Sequence, residues 1–126
     1  MDTIYESIGG EIGLKALVDR FYDDMAQDPA YRLIREMHPP DMGESNQKLF
    51  EFLSGRFGGP NLYIERRGHP RLRRRHMPFP IDSAARDQWI ACMDGAIAAA
   101  SLDAEVAAAL TAFFTQVADF MRNRPG

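Results

Sequence analysis

The three histidines and the one cysteine are the side chains of this chain that most readily bind metal ions. His76 follows Leu72 by four residues, so the two share one face of a predicted helix while the arginines around them point mostly elsewhere. An imidazole on an apolar face is either a hydrogen-bonded core histidine or a metal ligand, and the residues alone leave both open. Cys92 stands alone, which excludes an internal disulfide and favours a small buried residue on a helix.

Flat and flexible apolar side chains accompany His76, close to it in sequence and on the helices expected to pack beside it. Such side chains can enclose a large planar ligand, and they equally suit an ordinary hydrophobic core. They are Leu49, Phe52, Met77, Phe79, Ile81, Trp89 and Met93. Choosing between the two interpretations therefore requires a longer pattern than one histidine.

Six arginines crowd the segment from Arg66 to Arg75. A solvated helix face, a local anion site and a nucleic-acid contact all fit such a cluster. The segment lacks the interleaved aromatic residues of a base-stacking platform. The net charge of −3 also disfavours binding to nucleic acid or to an anionic membrane. We therefore expect no nucleic-acid partner.

Length and composition describe an ordinary globule. The 126 residues are 45% hydrophobic and 26% charged, which predicts one domain over residues 1–126. No apolar run approaches the roughly 18 residues that span a bilayer, and the first ten residues do not resemble a signal peptide, so we expect a cytoplasmic protein without a membrane partner. Zinc-helix, phosphate-loop, nucleophile-elbow and dinucleotide-binding motifs are absent from the sequence.

Apolar residues spaced by three and four positions predict α-helices along most of the chain. A short helix begins at a capping box formed by Thr3 and Glu6 and ends at Gly9-Gly10. A long helix follows from Glu11. Its predicted buried face consists of Leu14, Leu17, Val18, Phe21, Tyr22 and Met25.

Prolines and glycines mark the ends of the central elements. A short helix over residues 30–37 ends before Pro39-Pro40, which places His38 at a helix-to-loop corner. A third long helix is predicted over residues 45–57 and ends before a Gly-Gly-Pro sequence. The next stretch, residues 61–68, is predicted to be irregular.

A short helix from Pro70 to His76 follows, because proline suits a first helical turn and two later prolines forbid continuation. Two more helices have apolar faces that extend over residues 85–100 and 106–121. No segment alternates like a β-strand. The fold class predicted from these patterns is all-α.

Several motifs of the chain resemble the truncated haemoglobins, specifically their second group, and the resemblance covers nearly the whole chain. They are Phe21-Tyr22, Gly58-Gly59-Pro60, LYIERRGHPRLRRRHMPFPI at residues 62–81 and RDQWIACM at residues 86–93. The resemblance implies a two-over-two helical sandwich around one haem b, with a much reduced first helix. Arg56 departs from the family, in which an aromatic residue is frequent at that position.

The resemblance also implies a role for each histidine and cation near the arginine cluster. His76 would be the axial iron ligand, its second ring nitrogen held by a carbonyl or a similar acceptor, and His69 would be structural. Lys48 and Arg75 would bind the haem propionates, with Arg73 a weaker candidate. The apolar residues named above would line the haem.

On the opposite, distal side of the haem, the family places the phenol of Tyr22 and the indole of Trp89 over the iron as hydrogen-bond donors. His38 would donate to the gas or to Tyr22, unless it is a solvated corner histidine. Ser45 and Leu49 occupy distal-helix positions, and neither closes the site with an imidazole. Donors to bound oxygen slow its release.

The function implied is binding of oxygen, NO and CO, with slow oxygen release that suits scavenging, sensing or redox chemistry better than bulk transport. An alternative is a haem enzyme, either a nitric oxide dioxygenase or a peroxidase, that depends on a separate reductase because the chain has no flavin or nicotinamide domain. A further alternative is a haem-free helical module that binds partners through the arginine-rich segment. The oligomeric state expected is a monomer or a homodimer.

Overall fold

The computed structural model describes residues 2–125, and this part of the chain contains helices and no β-strand. The all-α prediction is therefore confirmed. No helix within residues 2–125 combines the length and the apolar character needed to cross a bilayer. The α-helices in chain order are α1 (Ile4–Ser7), α2 (Gly10–Gln27), α3 (Arg32–Glu36), α4 (Gly43–Arg56), α5 (Leu62–Arg67), α6 (Leu72–His76), α7 (Ser83–Ala99) and α8 (Ala104–Phe120), and a 3-10 helix (Pro29–Tyr31) precedes α3.

The four long helices, α2, α4, α7 and α8, form the body of the molecule. Helix α2 packs against both α4 and α7, and α7 packs against α8. The predicted inward face of α2 is confirmed, since the same six residues are buried, and they join one hydrophobic cluster with residues of α4, α7 and α8. Burial of these apolar faces is the main force holding the helices together.

The short first helix is fixed at the end of α4. Thr3 caps it by accepting the backbone N–H of Glu6, as the capping box predicts, and the N–H of Tyr5 donates to the carbonyl of Phe57 over 2.9 Å. Gly59 permits this contact, because an added Cβ would lie 2.5 Å from the Tyr5 ring. Gly9 ends α1, whereas the adjacent glycine already belongs to α2, one residue earlier than predicted.

Aromatic rings connect α4 with α8. Phe57 meets Phe113 edge to face at 5.2 Å between ring centroids, and Phe114 lies at 5.1 Å from Phe113. Arg56, the departure from the family pattern, places its guanidinium 5.1 Å from the centroid of the Phe113 ring. A cation over an aromatic face is attractive, so Arg56 extends this ring contact into solvent.

The prediction of an irregular stretch over residues 61–68 was wrong, because residues 62–67 form helix α5. The side chain of Tyr63, which belongs to this helix, is buried. Arg66 donates to Glu51 over 2.9 Å and Arg67 donates to the same carboxylate over 2.7 Å. These bonds join α5 to α4. The apolar pattern of this segment was too short to predict a helix, and the helix is held by contacts with residues distant in sequence.

The Glu51 side chain is 1% exposed, and it also accepts a hydrogen bond from Gln47. Burial alone would raise the pKa of the Glu51 carboxyl, but the hydrogen bonds from Arg67, Gln47 and Arg66 outweigh it and lower the pKa to about 2. A buried carboxylate persists only where several donors surround it. This carboxylate therefore anchors α5 on α4.

The predicted start of the short helix at Pro70 was also wrong. Helix α6 begins at Leu72, because Arg71 adopts a left-handed backbone conformation with φ of 48°. The N–H of Arg71 donates to Nδ1 of His69 over 3.0 Å, which stabilises the turn before the helix. The predicted end at His76 is confirmed.

Replacing Glu51 by Gln should lower the free energy of unfolding at pH 7 by about 2 kcal/mol, since hydrogen bonds to charged groups contribute roughly 1.5–3 kcal/mol. Because the pKa of this carboxyl is about 2 in the folded protein, below its ordinary value of 4.5, its stabilising effect is complete above pH 4.5 and is lost as the pH falls towards 2. Urea unfolding of the wild type and the variant at pH 7 and pH 3 measures this.

The matched control is Glu65→Gln, which removes an exposed carboxylate that has no ion pair within residues 2–125. We expect the control to change stability by less than about 0.5 kcal/mol. A Glu51→Gln difference that stays constant between the two pH values would contradict the assigned role.

Candidate functional site

His76 is the last residue of α6, and its ring is held by the helix itself. Nδ1 of His76 lies 2.6 Å from the carbonyl oxygen of Leu72, one turn earlier. Since a carbonyl oxygen can only accept, Nδ1 carries the proton and Nε2 of the neutral ring carries a lone pair. A half-buried imidazole is thereby oriented with one nitrogen able to bind a metal.

The apolar residues singled out with His76 fall into two groups. Met77 and Phe79 are 45% and 41% exposed, which is high for large apolar side chains. Leu49, Phe52, Ile81 and Trp89 are half-buried. Met93 is completely buried in the core. Six of the seven therefore retain surface that a ligand could cover, and Met93 lies in the core with no exposed surface.

Asn123, which sequence reasoning missed, fixes the segment that follows His76. Its side-chain amide donates to the carbonyls of His76, at 3.1 Å, and Phe79, at 2.9 Å. Its side-chain oxygen accepts the N–H of Ile81 over 2.9 Å, and its own backbone N–H donates to the Ile81 carbonyl. Two prolines in this segment have no backbone N–H to donate. This lack of donors is the sequence feature that indicates hydrogen bonds from another part of the chain.

Helix α8 contributes a second feature that the sequence did not indicate. A hollow of about 390 Å³ lies between α6 and the end of α8. Leu72, which shares its helix face with His76, forms one wall. The other walls are Gln116, Val117, Phe120 and Met121. The hollow is therefore lined mainly by apolar side chains of α6 and the end of α8.

Tyr22 and Ser45 meet between α2 and α4. The hydroxyl of Tyr22 donates to the backbone carbonyl of Ser45 over 3.3 Å. Burial, with a smaller contribution from Cys92, raises the pKa of Tyr22 well above its ordinary value, so the hydroxyl keeps its proton at neutral pH. Tyr22 therefore remains a hydrogen-bond donor.

His38 lies beside Tyr22, with 5.9 Å between the ring centroids. Its Nδ1 is 2.8 Å from the carbonyl of Ile34, so the neutral ring carries its proton on Nδ1. Burial lowers the pKa of His38; the bond to Ile34 opposes this, and the charges of Arg35 and His76 lower it further. Nε2 is therefore an acceptor at neutral pH, whereas His38 was predicted to be either a donor to the gas or to Tyr22 or a solvated corner histidine.

Trp89 is held between aromatic rings of α2 and α8. Its ring centroid lies 5.1 Å from that of Phe21 and 5.6 Å from that of Phe114. The indole N–H makes no hydrogen bond to any residue in the described range 2–125. Trp89 thus offers a donor that the chain itself does not use.

The three candidate cations have different partners. Lys48 pairs with Glu44 at 3.3 Å, and both side chains are exposed. Arg75 lies over the Tyr63 ring at 6.0 Å and makes no ion pair within residues 2–125. Arg73 donates to two backbone carbonyls at the end of α8, each at 3.4 Å. Arg75 is therefore the least engaged of the three.

Within residues 2–125 no group of three or more His, Cys, Asp or Glu side chains is placed to hold a metal ion. Cys92 donates its thiol proton to the carbonyl of Phe21, and burial, assisted by Asp24 and Asp28, raises its pKa to about 12. The thiol therefore behaves as the buried residue expected from sequence. A lone imidazole suits a metal whose other ligands belong to a cofactor.

Residues 3–123 match the family model described as bacterial-like globin, so the chain belongs to that family. Group 2 truncated hemoglobin YjbI of Bacillus subtilis (strain 168) is 43% identical over 102 residues, which are 81% of this chain and 74% of that protein. The family membership means haem-based binding of small gases.

Two solved structures share the fold. The cold-adapted truncated hemoglobin of the Antarctic marine bacterium Pseudoalteromonas haloplanktis TAC125 superposes with a TM-score of 0.95 at 43% identity, covering 98% of this chain and 99% of that one. The group II 2-on-2 hemoglobin of Agrobacterium tumefaciens gives 0.95 at 37% identity, covering 100% and 97%. The predicted group of truncated haemoglobins and its two-over-two fold are confirmed.

Replacing Asn123 by Ala should loosen the segment between His76 and Ile81, because three hydrogen bonds of the Asn123 side chain disappear together. We expect the Ile81 amide to exchange with solvent at least tenfold faster, in line with a loss of about 1–3 kcal/mol per unsatisfied group. Hydrogen exchange followed by mass spectrometry measures this.

Asn123→Asp is the matched variant, because it keeps the acceptor for Ile81 N–H and loses both donors to the carbonyls. It should protect the Ile81 amide better than the Ala variant does. Equal exchange in the wild type and Asn123→Ala would show that the segment does not depend on this side chain.

Proposed function

We propose that residues 1–126 form one truncated globin domain that binds haem b, with Nε2 of His76 as the axial iron ligand, and that binds oxygen, NO or CO. The observation that supports this best is the bond from Nδ1 of His76 to the Leu72 carbonyl, which leaves the other nitrogen available as a metal ligand. Haem, when bound, supplies an iron whose sixth position accepts a diatomic gas.

Apolar side chains around His76 have the character needed to hold a porphyrin. Met77 and Phe79 expose large apolar surfaces, and covering one such side chain contributes about 1.5–3 kcal/mol. Leu49 and Phe52 on α4 and Ile81 after α6 offer further partly exposed apolar surface. Met93 would support this lining from within the core.

The cations of α4 and α6 suit the two haem carboxylates. Arg75 has no ion pair within residues 2–125, so it would bind a propionate without losing one. Lys48 would leave Glu44, and an exposed pair of this kind contributes at most about 1 kcal/mol. Arg73 remains the weaker candidate, because it already donates to carbonyls at the end of α8.

The donors of the distal side would set how long a gas stays bound. The Trp89 indole N–H has no partner within the described range and would donate to the gas. Tyr22 would have to turn its hydroxyl away from the Ser45 carbonyl to do the same. His38 presents an acceptor at Nε2, which would orient that hydroxyl rather than bond the gas directly. Leu49 would provide an apolar wall.

Oxygen held by such donors would leave slowly. Slow release suits scavenging of oxygen or nitric oxide and redox chemistry better than bulk transport, and turnover of that kind needs an electron from a separate reductase. We place this activity in the cytoplasm, in a monomer or a homodimer.

The His76→Ala variant tests the ligand assignment. The wild type should bind added hemin and give a ferrous spectrum with one histidine ligand, whereas His76→Ala should bind hemin weakly and regain the spectrum when imidazole is added. His69→Asn is the control and should match the wild type, because it removes an exposed imidazole while its side-chain oxygen can still accept the Arg71 N–H. A wild type that stays colourless with hemin would refute the proposal.

The Trp89→Phe variant tests the distal donor. Because a hydrogen bond to a charged group contributes roughly 1.5–3 kcal/mol, oxygen release should accelerate by about ten- to a hundredfold. Tyr22→Phe should have a smaller effect, since the Tyr22 hydroxyl already bonds Ser45. Stopped-flow displacement of oxygen measures both rates.

Release of CO is the internal control for these variants, because bound CO gains little negative charge and responds weakly to a donor. A Trp89→Phe variant that accelerates oxygen and CO release equally would indicate a packing defect beside Phe21 rather than a lost hydrogen bond.

A further inference from the structure

Helix α6 and the residue before it carry four exposed arginines, which we call the arginine face: Arg71, Arg73, Arg74 and Arg75. The two arginines of α5 are not part of it, because they are bound to the buried Glu51 carboxylate. Within residues 2–125, none of the four forms an ion pair. The arginine face is therefore an uncompensated patch of positive charge on a chain whose net charge is −3.

Contacts within the fold account for Arg73, which donates to two carbonyls at the end of α8, but not for Arg71 and Arg74. Like charges at helical spacing repel each other, and a five-residue helix gains little to offset that repulsion. Arg73 lies over the Phe120 ring at 5.8 Å, and Arg75 lies over the Tyr63 ring at 6.0 Å. Within the described range, Arg71 and Arg74 form neither an ion pair nor a contact with an aromatic ring. These two side chains are available to a partner.

Helix α6 also ends at His76, so the arginine face lies beside the proposed axial ligand. We propose that this face docks a small acidic protein that transfers single electrons. The inference rests on the proposed function. One electron would pass from the reduced partner to ferric haem, so that the donor is oxidised as the iron becomes ferrous, and no bond forms or breaks.

The chemistry of the face favours a protein over nucleic acid. Phe120, which lies under Arg73, is 61% exposed and adds an apolar contact at the edge of the charge. Arginine and aromatic residues are enriched in protein interfaces, and redox partners associate over small, transient ones. The face has no run of aromatic side chains on which bases would stack.

The test titrates the haem-loaded protein with two acidic probes, oxidised plant-type [2Fe–2S] ferredoxin and oxidised flavodoxin, by calorimetry at low salt. We expect micromolar binding of at least one probe, weakened by about tenfold in Arg71→Gln/Arg74→Gln and also by added salt. Arg20→Gln/Arg32→Gln, which removes the same charge from exposed sites on α2 and α3, should stay within about twofold of the wild type.

A second readout is the rate at which the reduced probe reduces ferric protein in a stopped-flow instrument. That rate should fall in the Arg71→Gln/Arg74→Gln variant and not in the control, while the haem spectra of all three proteins stay the same. The spectra distinguish failure of the proposed haem binding from failure of the proposed docking surface. Loss of haem would count against haem binding, whereas unchanged spectra with unchanged rates would count against the docking surface.

Three results would overturn the inference. The first is the absence of salt-dependent binding to both probes, and the second is equal weakening by the two double variants. The third is that a short DNA duplex binds more tightly than either probe and loses that binding in Arg71→Gln/Arg74→Gln, which would assign the face to nucleic acid.

Discussion

The hydrogen bond from Nδ1 of His76 to the Leu72 carbonyl determines what the rest of the molecule can do. It selects one tautomer, restricts rotation of the ring and leaves a single nitrogen with a lone pair. A solvent-exposed histidine would spend most of its time in other orientations. The bond spans one turn of a five-residue helix, so its geometry is only as stable as α6 itself, and a helix of that length has little stability of its own.

Stability of α6 therefore comes from its two flanks. On the N-terminal side, the buried Glu51 carboxylate binds both arginines of α5 and fixes that helix against α4. On the C-terminal side, Asn123 returns from the end of the chain to bond the His76 carbonyl. Both anchors are polar groups with several partners, and for the buried Glu51 carboxylate a lost partner would leave a buried charge less well compensated.

Elements with long apolar periodicity could be predicted from sequence, because burial of one helix face is decided locally. The inward face of α2 is an example, as are the ends of α7 and α8 to within a few residues. Helix α5 could not be predicted, since its ion pairs connect residues 15 and 16 positions apart. Asn123 was missed for the same reason, and the His38 tautomer depends on the position of the Ile34 carbonyl in space.

Contacts between residues distant in sequence also separate the arginine cluster into two groups. The sequence alone shows it as one cluster with several possible roles. Two of its arginines form ion pairs with the buried Glu51 carboxylate. The other four are exposed and form no ion pair in the described range. Only the first pair contributes to holding α5 in place. Before a partner binds, the outward group adds positive potential around His76, and a positive field stabilises the reduced form of a nearby metal over the oxidised form. The charge that would attract an acidic donor would thus also favour acceptance of its electron.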